Sequence, residues 1–531
     1  MQLPQSKTSC QSPWIEPQQE CMALFPFITL TCTTLKCGYK DPTFALKLSK
    51  NFIVKPLTYL INLIFKTGIY PNDLKLAKVI PIYKGGDPQN FSNYRPISLL
   101  SNINKIIEKC IYSRLYNFIE SKKILSNFQY GFRNKSNCEI ALIDFTDKIA
   151  SNIDSGQLSL AVFLDISKAF DMVDFNILKC KLNKIGIRGS TLNLLYSYLT
   201  NRRQLVYCNN IHSNIEGLDY GVPQGSILGP LLFLIYINDL PNCLQFCNIT
   251  MYADDVVIWY SHNCLNELFN ILAYDLININ SWYNGNKLAI NFTKSNYIIF
   301  RSHKKKLPID LPVLSIGNND LQRVNHCKYL GLYLHEFLKW DHHIKYISIR
   351  IATYVGLLSK IRHYFSIEIC LLYYYAFIHS HISYGLSIYG RTYNSTLNPI
   401  SILQKKAVRI IIFADYMEPS KPIFKKLNIL TVTNLCKYNI CLLLFKIINN
   451  LIISNLKSNL IMNINIHSHN TRYNNKSNIV LHTIKSNYGR FKFSFLGPLI
   501  WNKLDNNLKD YQNLCTYKKL SKSFDWESIN I

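Results

Sequence analysis

Two short apolar runs that border on aspartates restrict the fold more than any other feature of this sequence. Residues 160–164 (LAVFL) lead into Asp165, and residues 256–260 (VVIWY) follow Asp254 and Asp255. β-Branched and aromatic runs of this length are typical of buried β-strands. Helical patterns alternate irregularly with them. The sequence therefore predicts an α+β protein whose sheet carries three carboxylates at strand ends.

Three carboxylates on adjoining strands suit a pair of divalent ions. Neighbouring residues of a strand point to opposite faces, so Asp254 and Asp255 can approach one site only if a tight turn lies there. Three carboxylates so placed suit two Mg²⁺ ions about 3.5 to 4 Å apart, which would activate a hydroxyl and neutralise a phosphate. The pattern predicts nucleotidyl transfer. Taken singly, each aspartate has a simpler interpretation as a strand end or a polar turn.

Two further stretches contribute to the prediction. Residues 220–230 (YGVPQGSILGP) precede an apolar run, and their glycines would let the backbone approach a flat ligand closely. The alternative is a plain loop that enters a core helix. Residues 103–118 repeat apolar side chains at helical spacing and predict an amphipathic helix, with Glu108 on its polar side.

The charge of the chain favours a polyanionic partner. The 531 residues include 59 Lys and Arg against 32 Asp and Glu, a formal net charge of +27, and 48% of them are hydrophobic. This composition excludes a disordered or collagen-like chain. The charge favours nucleic acid over an acidic membrane surface. No run approaches the roughly 18 apolar residues of a spanning helix, so no membrane partner is expected.

The cysteines and the N-terminal segment indicate an intracellular protein. Sixteen cysteines are scattered without the spacing of a zinc site and are expected to be reduced thiols. Glu16 and Glu20 stand where a signal peptide would carry basic residues. Residues 1–45 are interpreted as a leader that is either unstructured or not interpretable from its sequence, and the nucleus and the cytoplasm both remain plausible locations.

Three motifs in a fixed order resemble the palm of reverse transcriptases. They are FLDISKAFD at 163–171, PQGSILGP at 223–230 and YADD at 252–255. Upstream, LAKVIPIYK, NYRPIS and QYGFR resemble finger motifs of non-long-terminal-repeat retrotransposon enzymes of the jockey-like insect type. Downstream, NKLAINFTK and YLGL resemble the later palm motifs and the primer grip. The resemblance is strongest between residues 76 and 334.

The resemblance implies a catalytic set. Asp165, Asp254 and Asp255 would be the catalytic triad and the ligands of two Mg²⁺ ions, with Mn²⁺ as a substitute. Phe170 would be the steric gate that excludes a ribose 2′-hydroxyl. Lys294 would be the general acid that protonates the pyrophosphate. For Phe170 and Lys294 taken alone, a core aromatic and a solvated charge are the simpler interpretations.

The resemblance also implies residues that bind the incoming nucleotide. Arg133 and Lys84 would grip its triphosphate, and Gln224 would line the nucleotide pocket. An arginine fork matches phosphate bidentately, which agrees with the first of these roles. A plain surface charge is the alternative for Arg133.

The expected architecture is a right-hand polymerase. Residues 46–315 would form the fingers and the palm, with an antiparallel palm sheet and helices. Residues 316–400 would form a helical thumb, and residues 401–531 a basic, helical and loop-rich C-terminal region. Basic and aromatic side chains interleave after the palm, as in surfaces that bind nucleic acid.

The expected reaction is RNA-directed DNA synthesis. The partners would be an RNA template, a DNA primer or nicked target DNA, and deoxynucleoside triphosphates. The leader is too short to hold the endonuclease that full elements usually carry. This motivates one alternative, an inactive or co-opted relic that binds nucleic acid without catalysis. An RNA-dependent RNA polymerase would share the carboxylates but not the PQG and YADD motifs or the bulky Phe170.

Overall fold

The computed structural model describes residues 46–461 and 478–529, and the leader predicted at residues 1–45 lies outside them. The strands are β1 (Leu76–Tyr83), β2 (Tyr94–Leu99), β3 (Leu158–Leu164), β4 (Arg202–Cys208), β5 (Ile211–His212), β6 (Glu216–Leu218), β7 (Asn248–Tyr252), β8 (Asp255–His262), β9 (Asn296–Phe300), β10 (Ser315–Ile316), β11 (Asn319–Asp320), β12 (Gln322–Arg323), β13 (His326–Tyr329) and β14 (Leu332–His335).

The helices alternate with these strands in the first part of the chain and dominate the rest. They are α1 (Lys50–Thr67), α2 (Asn102–Ser121), α3 (Cys138–Asp154), α4 (Phe175–Lys184), α5 (Gly189–Leu199), α6 (Leu228–Ile237), α7 (Leu265–Gly285), α8 (Asp341–Ile361), α9 (Ile367–Tyr373), α10 (Ser380–Ser383), α11 (Leu386–Tyr389), α12 (Asn394–Ile411), α13 (Ser420–Lys426), α14 (Val432–Ile448), α15 (Asn487–Arg490), α16 (Phe493–Asn502), α17 (Asn506–Lys509) and α18 (Leu514–Ser523).

The described chain forms two compact units whose segments alternate along the sequence. Unit 1 consists of residues 46–126, 168–239 and 284–289. Unit 2 consists of residues 127–167, 240–283 and the described residues from 290 onward.

Unit 1 combines a mixed sheet with helices. Its strand order is β2-β1-β4-β5, and β6 also pairs with β4. Strand β1 is antiparallel to β2 and parallel to β4. Helix α2 begins at the Ser101 cap, whose side chain accepts a hydrogen bond from Asn104 N. Its buried stripe includes Ile107, Ile111 and Leu115, so the predicted amphipathic helix is confirmed.

Unit 2 contains the strands that flank the three aspartates. The sheet has the order β12-β9-β3-β8-β7, and β3 is antiparallel to both β8 and β9. All seven residues of β3 are buried because helices cover both faces of the sheet. The Phe145 ring of α3 packs edge-on against Phe163, and the Phe269 ring of α7 packs edge-on against Tyr297. The predicted α+β class with an antiparallel central sheet is confirmed.

The later helices of unit 2 share one apolar core. Side chains from α8, α12, α14 and α16 lie in the same buried cluster as those of α3. Residues on both sides of position 400 contribute to it, and the predicted boundary between thumb and C-terminal region stays a prediction. Among the described helices, none combines the length and apolar character needed to cross a bilayer.

Candidate active site

Asp165 and Asp255 lie at the adjoining ends of β3 and β8. The antiparallel register pairs Phe163 with Val257 and Leu164 with Val256. One further step of this register brings Asp165 opposite Asp255. Residues directly opposite one another in an antiparallel pair have Cβ atoms about 4.5 to 5.5 Å apart on one face of the sheet. The two carboxylates therefore leave the sheet side by side.

Asp254 lies in the two-residue turn between β7 and β8. Tyr252 pairs with Asp255, so the turn consists of Ala253 and Asp254. The φ angle of Ala253 is 54°, in the left-handed region. Two-residue hairpins favour turns with positive φ because such turns match the twist of the strands. The hairpin turn predicted at this position is present.

A third segment holds Asp165. Asn291 donates from its backbone N to the Asp165 carbonyl oxygen at 2.8 Å and from Nδ2 to Asp165 Oδ2 at 3.1 Å. Asp165 N in turn donates to Ser295 Oγ at 3.2 Å. Lys294 Nζ lies 3.6 Å from Asp165 Oδ2, on a side chain that is 69% exposed. The predicted general acid therefore lies beside a predicted metal ligand.

The carboxylates repel one another. Burial, followed by the negative charges of Asp254 and Asp165, raises the pKa of Asp255 to about 6. A divalent cation would relieve this repulsion, and carboxylate oxygens are the ligands that Mg²⁺ prefers. Within residues 46–461 and 478–529, no three His, Cys, Asp or Glu side chains form a ready metal cage. The carboxylate oxygens of this site are suitable ligands for divalent ions. The three carboxylates are neighbours, but they do not form a closed coordination sphere.

Arg133 belongs to a loop that runs along β7, here termed the arginine loop (residues 128–135). Met251 N donates to the Phe128 carbonyl oxygen, and Tyr130 N donates to the Met251 carbonyl oxygen, both at 2.9 Å. Arg133 itself is half-buried. These bonds fix the start of the loop beside the strand that leads into the turn at Asp254.

Gln129 joins the arginine loop to that turn. Its Oε1 accepts hydrogen bonds from Ala253 N at 2.9 Å and from Gly131 N at 2.8 Å. A Cβ atom on Gly131 would lie 2.4 Å from Ala253 N, so only glycine allows this approach. The loop and the turn are therefore in direct backbone contact.

The remaining predicted nucleotide-binding residues lie in unit 1. Gln224 Nε2 donates to Asp171 Oδ1 at 2.9 Å. The half-buried Phe170 ring stacks on Phe233, with the ring centroids 4.8 Å apart. Burial raises the pKa of Asp171, while the Gln224 hydrogen bond and then the charges of Lys168 and Lys84 oppose the rise. Unit 1 thus brings Phe170, Gln224 and the exposed Lys84 together around Asp171.

A buried carboxylate holds the segment that carries Gln224, here termed the glutamine loop (residues 221–227). Glu108 Oε2 accepts a hydrogen bond from Ile227 N at 2.7 Å. Its Oε1 accepts from Tyr198 OH at 2.7 Å and from Asn104 Nδ2 at 2.8 Å. The interpretation of Glu108 as a residue of the polar helix side is wrong, because its exposed fraction is 0%. Spacing marked it as polar, but only the tertiary fold supplies its partners.

The predicted site residues thus divide between the units. Unit 2 carries Asp165, Asp254, Asp255, Arg133 and Lys294, and unit 1 carries Lys84, Phe170 and Gln224.

Four residues that hold the site were not among the predicted site residues. Three of them, Gln129, Asp171 and Asn291, stand inside the motifs QYGFR, FLDISKAFD and NKLAINFTK, so the motifs contained the signal. The fourth, Glu108, stands outside every motif.

The middle part of the sequence is similar to a known protein family. Residues 82–334 match the family described as reverse transcriptase (RNA-dependent DNA polymerase). These residues form a reverse transcriptase domain. The predicted right-hand polymerase class is therefore confirmed.

The chain is similar to proteins of mobile elements, which confirms the resemblance to enzymes of jockey-like elements. In Drosophila melanogaster it is similar to the probable RNA-directed DNA polymerases from transposon BS and from transposon X-element, at 30% identity over 387 and 386 residues, in each case 71% of this chain and 42% of the relative. The enzyme from mobile element jockey of the same species is 28% identical over 70% of this chain and 41% of its own length. The chain therefore spans about two fifths of these relatives.

Among solved structures, a telomerase from Candida albicans in complex with a TWJ fragment of telomeric RNA aligns with 72% of this chain and 71% of its own. The identity is 11% and the TM-score 0.37.

Proposed function

We propose that this chain is the RNA-directed DNA polymerase of a non-long-terminal-repeat retrotransposon. It would add deoxynucleotides to the 3′-hydroxyl of a DNA primer, or of nicked target DNA, on an RNA template. The main support is the register of β3 and β8, which brings Asp165 opposite Asp255 beside the turn that carries Asp254.

The proposed step exchanges one phosphorus–oxygen bond for another. The primer 3′-oxygen gives its proton to solvent water and bonds to the α-phosphorus, while the bond from that phosphorus to the oxygen that bridges the α- and β-phosphorus breaks, which releases pyrophosphate. Two Mg²⁺ ions, or Mn²⁺ in their place, would supply the positive charge that acidifies the hydroxyl and balances the pentavalent phosphate. Asp165, Asp254 and Asp255 would hold these ions. Lys294 would give a proton to the departing pyrophosphate.

The other predicted residues would select and orient the nucleotide. The guanidinium of Arg133 and the ammonium of Lys84 would bind the triphosphate, for which a planar fork and a compact cation are both suited. Phe170, backed by Phe233, would be a wall against the ribose 2′-hydroxyl. Gln224, held by Asp171, would line the nucleotide pocket.

Primer extension on an RNA template with Mg²⁺ tests the proposal. We expect incorporation by the full chain and a loss of about a thousandfold in kcat for Asp254→Asn, since several kcal/mol of charge stabilisation would be removed. Asp239→Asn is the control, because that carboxylate is 47% exposed and pairs with Lys181. Wild-type protein that binds RNA but incorporates nothing would contradict polymerase activity and favour the inactive relic.

Sugar selection is tested separately. Phe170→Ala should admit ribonucleotides, because the side chain would no longer fill the space beside the 2′ position. Unchanged discrimination would contradict the role of Phe170 as the gate. Preferential incorporation of ribonucleotides by the wild type would instead indicate an RNA-dependent RNA polymerase.

An intracellular location, in the nucleus or the cytoplasm, is also part of the proposal. Cys327, Cys370, Cys436 and Cys441 are buried thiols that form no disulfide, as expected for a reducing compartment.

A further inference from the structure

Helix α3 binds the C-terminal half of the chain through its acidic side chains. Four carboxylates of this helix accept hydrogen bonds from residues beyond position 380. The pairs are Glu139 with Ser387, Asp144 with Ser454 and Asn455, Asp147 with Arg391, and Asp154 with Ser486. Such bonds, spanning more than 240 positions of sequence, make α3 a common support for these late segments.

The Asp144 contact continues toward the candidate active site. Asp144 is 3% exposed. Its Oδ1 accepts from Ser454 Oγ at 3.0 Å, and its Oδ2 accepts from Asn455 N at 3.2 Å and from Tyr130 OH at 2.5 Å. Asn455 Nδ2 also donates to Tyr130 OH at 2.8 Å. The hydroxyl of Tyr130 is therefore held between the carboxylate of Asp144 in α3 and the side-chain amide of Asn455.

Tyr130 is part of the arginine loop. Its backbone bonds to β7, and the adjacent Gln129 accepts from Ala253 N in the turn that carries Asp254. At the far end of the loop, Ile453 N donates to the Lys135 carbonyl oxygen at 2.7 Å. The C-terminal segment thus contacts the loop on both sides of Arg133.

We infer that residues 453–456, termed the C-terminal brace, position the arginine loop for nucleotide binding through Tyr130 and Asp144. This inference rests on the proposed function, in which Arg133 binds the triphosphate. It gives Asn455 and Tyr130 the role of positioning residues, which touch no reacting atom. It also gives a segment far beyond the family match, which ends at residue 334, a role in the proposed polymerase site.

The brace has a defined weak point. The hydrogen bonds among Asp144, Tyr130, Ser454 and Asn455 form one network. Removing one of its polar groups leaves another without that partner. Such networks hold a unique arrangement only when they are complete. Loss of the Asn455 amide would leave Tyr130 with Asp144 alone. The loop could then move relative to α3, which would displace Arg133 first.

Steady-state primer extension with Asn455→Ala and Tyr130→Phe tests the brace. We expect KM for the deoxynucleotide to rise about tenfold in each variant, with kcat changed less than threefold. A tenfold change corresponds to about 1.4 kcal/mol, the size of one buried hydrogen bond.

Two matched controls separate positioning from general damage. Asn449→Ala removes a neighbouring amide that bonds only within its own helix end, to the Phe445 carbonyl oxygen. Tyr116→Phe removes a buried phenol that bonds to Glu120 of its own helix. Both should keep KM within twofold of the wild type. Equal KM changes in the controls and the brace variants would overturn the inference, as would lower thermal stability of the brace variants at unchanged KM.

Limited proteolysis tests the brace without relying on polymerase activity. Trypsin should cleave after Arg133 and Lys135 about tenfold faster in Asn455→Ala than in the wild type, because the released loop opens locally. Cleavage after Lys304 and Lys306, outside the brace, should be unchanged. If the wild type extends no primer, the proposed function fails and this measurement decides alone. Equal cleavage of the arginine loop in wild type and variant would then overturn the brace.

Discussion

The two loops that carry predicted nucleotide-binding residues are supported from very different distances along the chain. Glu108, 119 positions earlier, holds the glutamine loop at Ile227. The arginine loop depends on Asn455, 325 positions after Tyr130. Both supports are buried carboxylate networks. One lies within the residues matched by the family, 82–334, and the other reaches far beyond them.

The difference shows how the candidate active site can depend on a segment that contributes none of the predicted catalytic residues. The family match would suggest that residues 82–334 are self-sufficient. The structure instead gives helix α3, which lies within that match, four acidic side chains that contact residues after position 380. In a chain shortened at residue 334, these carboxylates would lose their partners from the later segments. They would then be exposed to water, or stay buried without these hydrogen bonds.

The largest expected effect comes from breaking the long-range support of α3. Arg391 and Asp147 are 5% and 3% exposed, and Arg391 NH1 lies 2.5 Å from Asp147 Oδ1. Arg391→Met would leave a buried carboxylate with only the backbone amides of Phe493 and Ser494. Removing one partner of such a pair costs about 3–5 kcal/mol. Urea unfolding should show this loss.

An exposed ion pair of the same unit is the control for that measurement. Lys421 and Glu527 lie 2.6 Å apart, with side chains 66% and 46% exposed. Lys421→Met should leave the unfolding midpoint unchanged, because solvent screens such pairs. Equal effects of the two substitutions would show that the late segments add little to the support of α3.

The second prediction concerns the support within unit 1. Glu108→Ala removes the acceptor of Ile227 N, Tyr198 OH and Asn104 Nδ2, and each buried donor left without a partner costs about 1–3 kcal/mol. We expect a loss of stability comparable to that for Arg391→Met, and a fall in kcat/KM through the glutamine loop. If kcat/KM is unchanged under conditions in which the Glu108→Ala protein is fully folded, Glu108 does not hold that loop.

The pH dependence of stability sharpens the same test. Burial raises the pKa of Glu108 above its usual 4.5, more than its hydrogen bonds lower it. The folded state therefore keeps a proton that the unfolded chain has already released. The contribution of protonated Glu108 to the free energy of unfolding is present below about pH 4.5. It is lost as the pH rises through the pKa that Glu108 has in the folded state. Glu108→Gln should remove this pH-dependent contribution. The difference in free energy of unfolding between wild type and variant should therefore vary with pH. A difference that is the same at every pH would contradict the raised pKa of Glu108.

Local patterns predicted the parts of this molecule that depend on neighbours in sequence. The apolar runs at 160–164 and 256–260 became paired strands, and the turn at Asp254 was expected because two adjacent carboxylates needed one. Long-range partners were beyond such patterns. Glu108 has polar helical spacing yet 0% exposure, and its partners Tyr198 and Ile227 come from other elements.

The C-terminal brace shows the same limit more strongly. Nothing in the local sequence around Asn455 indicates a partner at Tyr130, because both are ordinary polar residues until the fold brings them together. The motifs predicted which residues to expect in the candidate active site. The residues that support them were identified only from the packing of the helices.

A third prediction tests the glutamine loop at its tip. Gln224→Ala removes the 2.9 Å hydrogen bond to Asp171. One such bond contributes about 0.5–1.5 kcal/mol, so KM for the deoxynucleotide should rise about two- to tenfold with little loss of stability. Gln204→Ala, on β4 of the same unit, is the control. If KM is unchanged in Gln224→Ala, Gln224 does not line the nucleotide pocket.

The smallest expected effect concerns the turn that the arginine loop contacts. Ala253 has a φ angle of 54°, and Ala253→Gly would relieve about 1–2 kcal/mol of left-handed strain. Against this, glycine costs about 0.5–1 kcal/mol in chain entropy and the buried methyl about 0.8 kcal/mol. Stability should therefore change by less than about 1 kcal/mol, while kcat falls a few fold because Asp254 gains freedom. A stability loss well above 1 kcal/mol would mean that the alanine is unstrained and that its packing, together with Gln129, holds the turn.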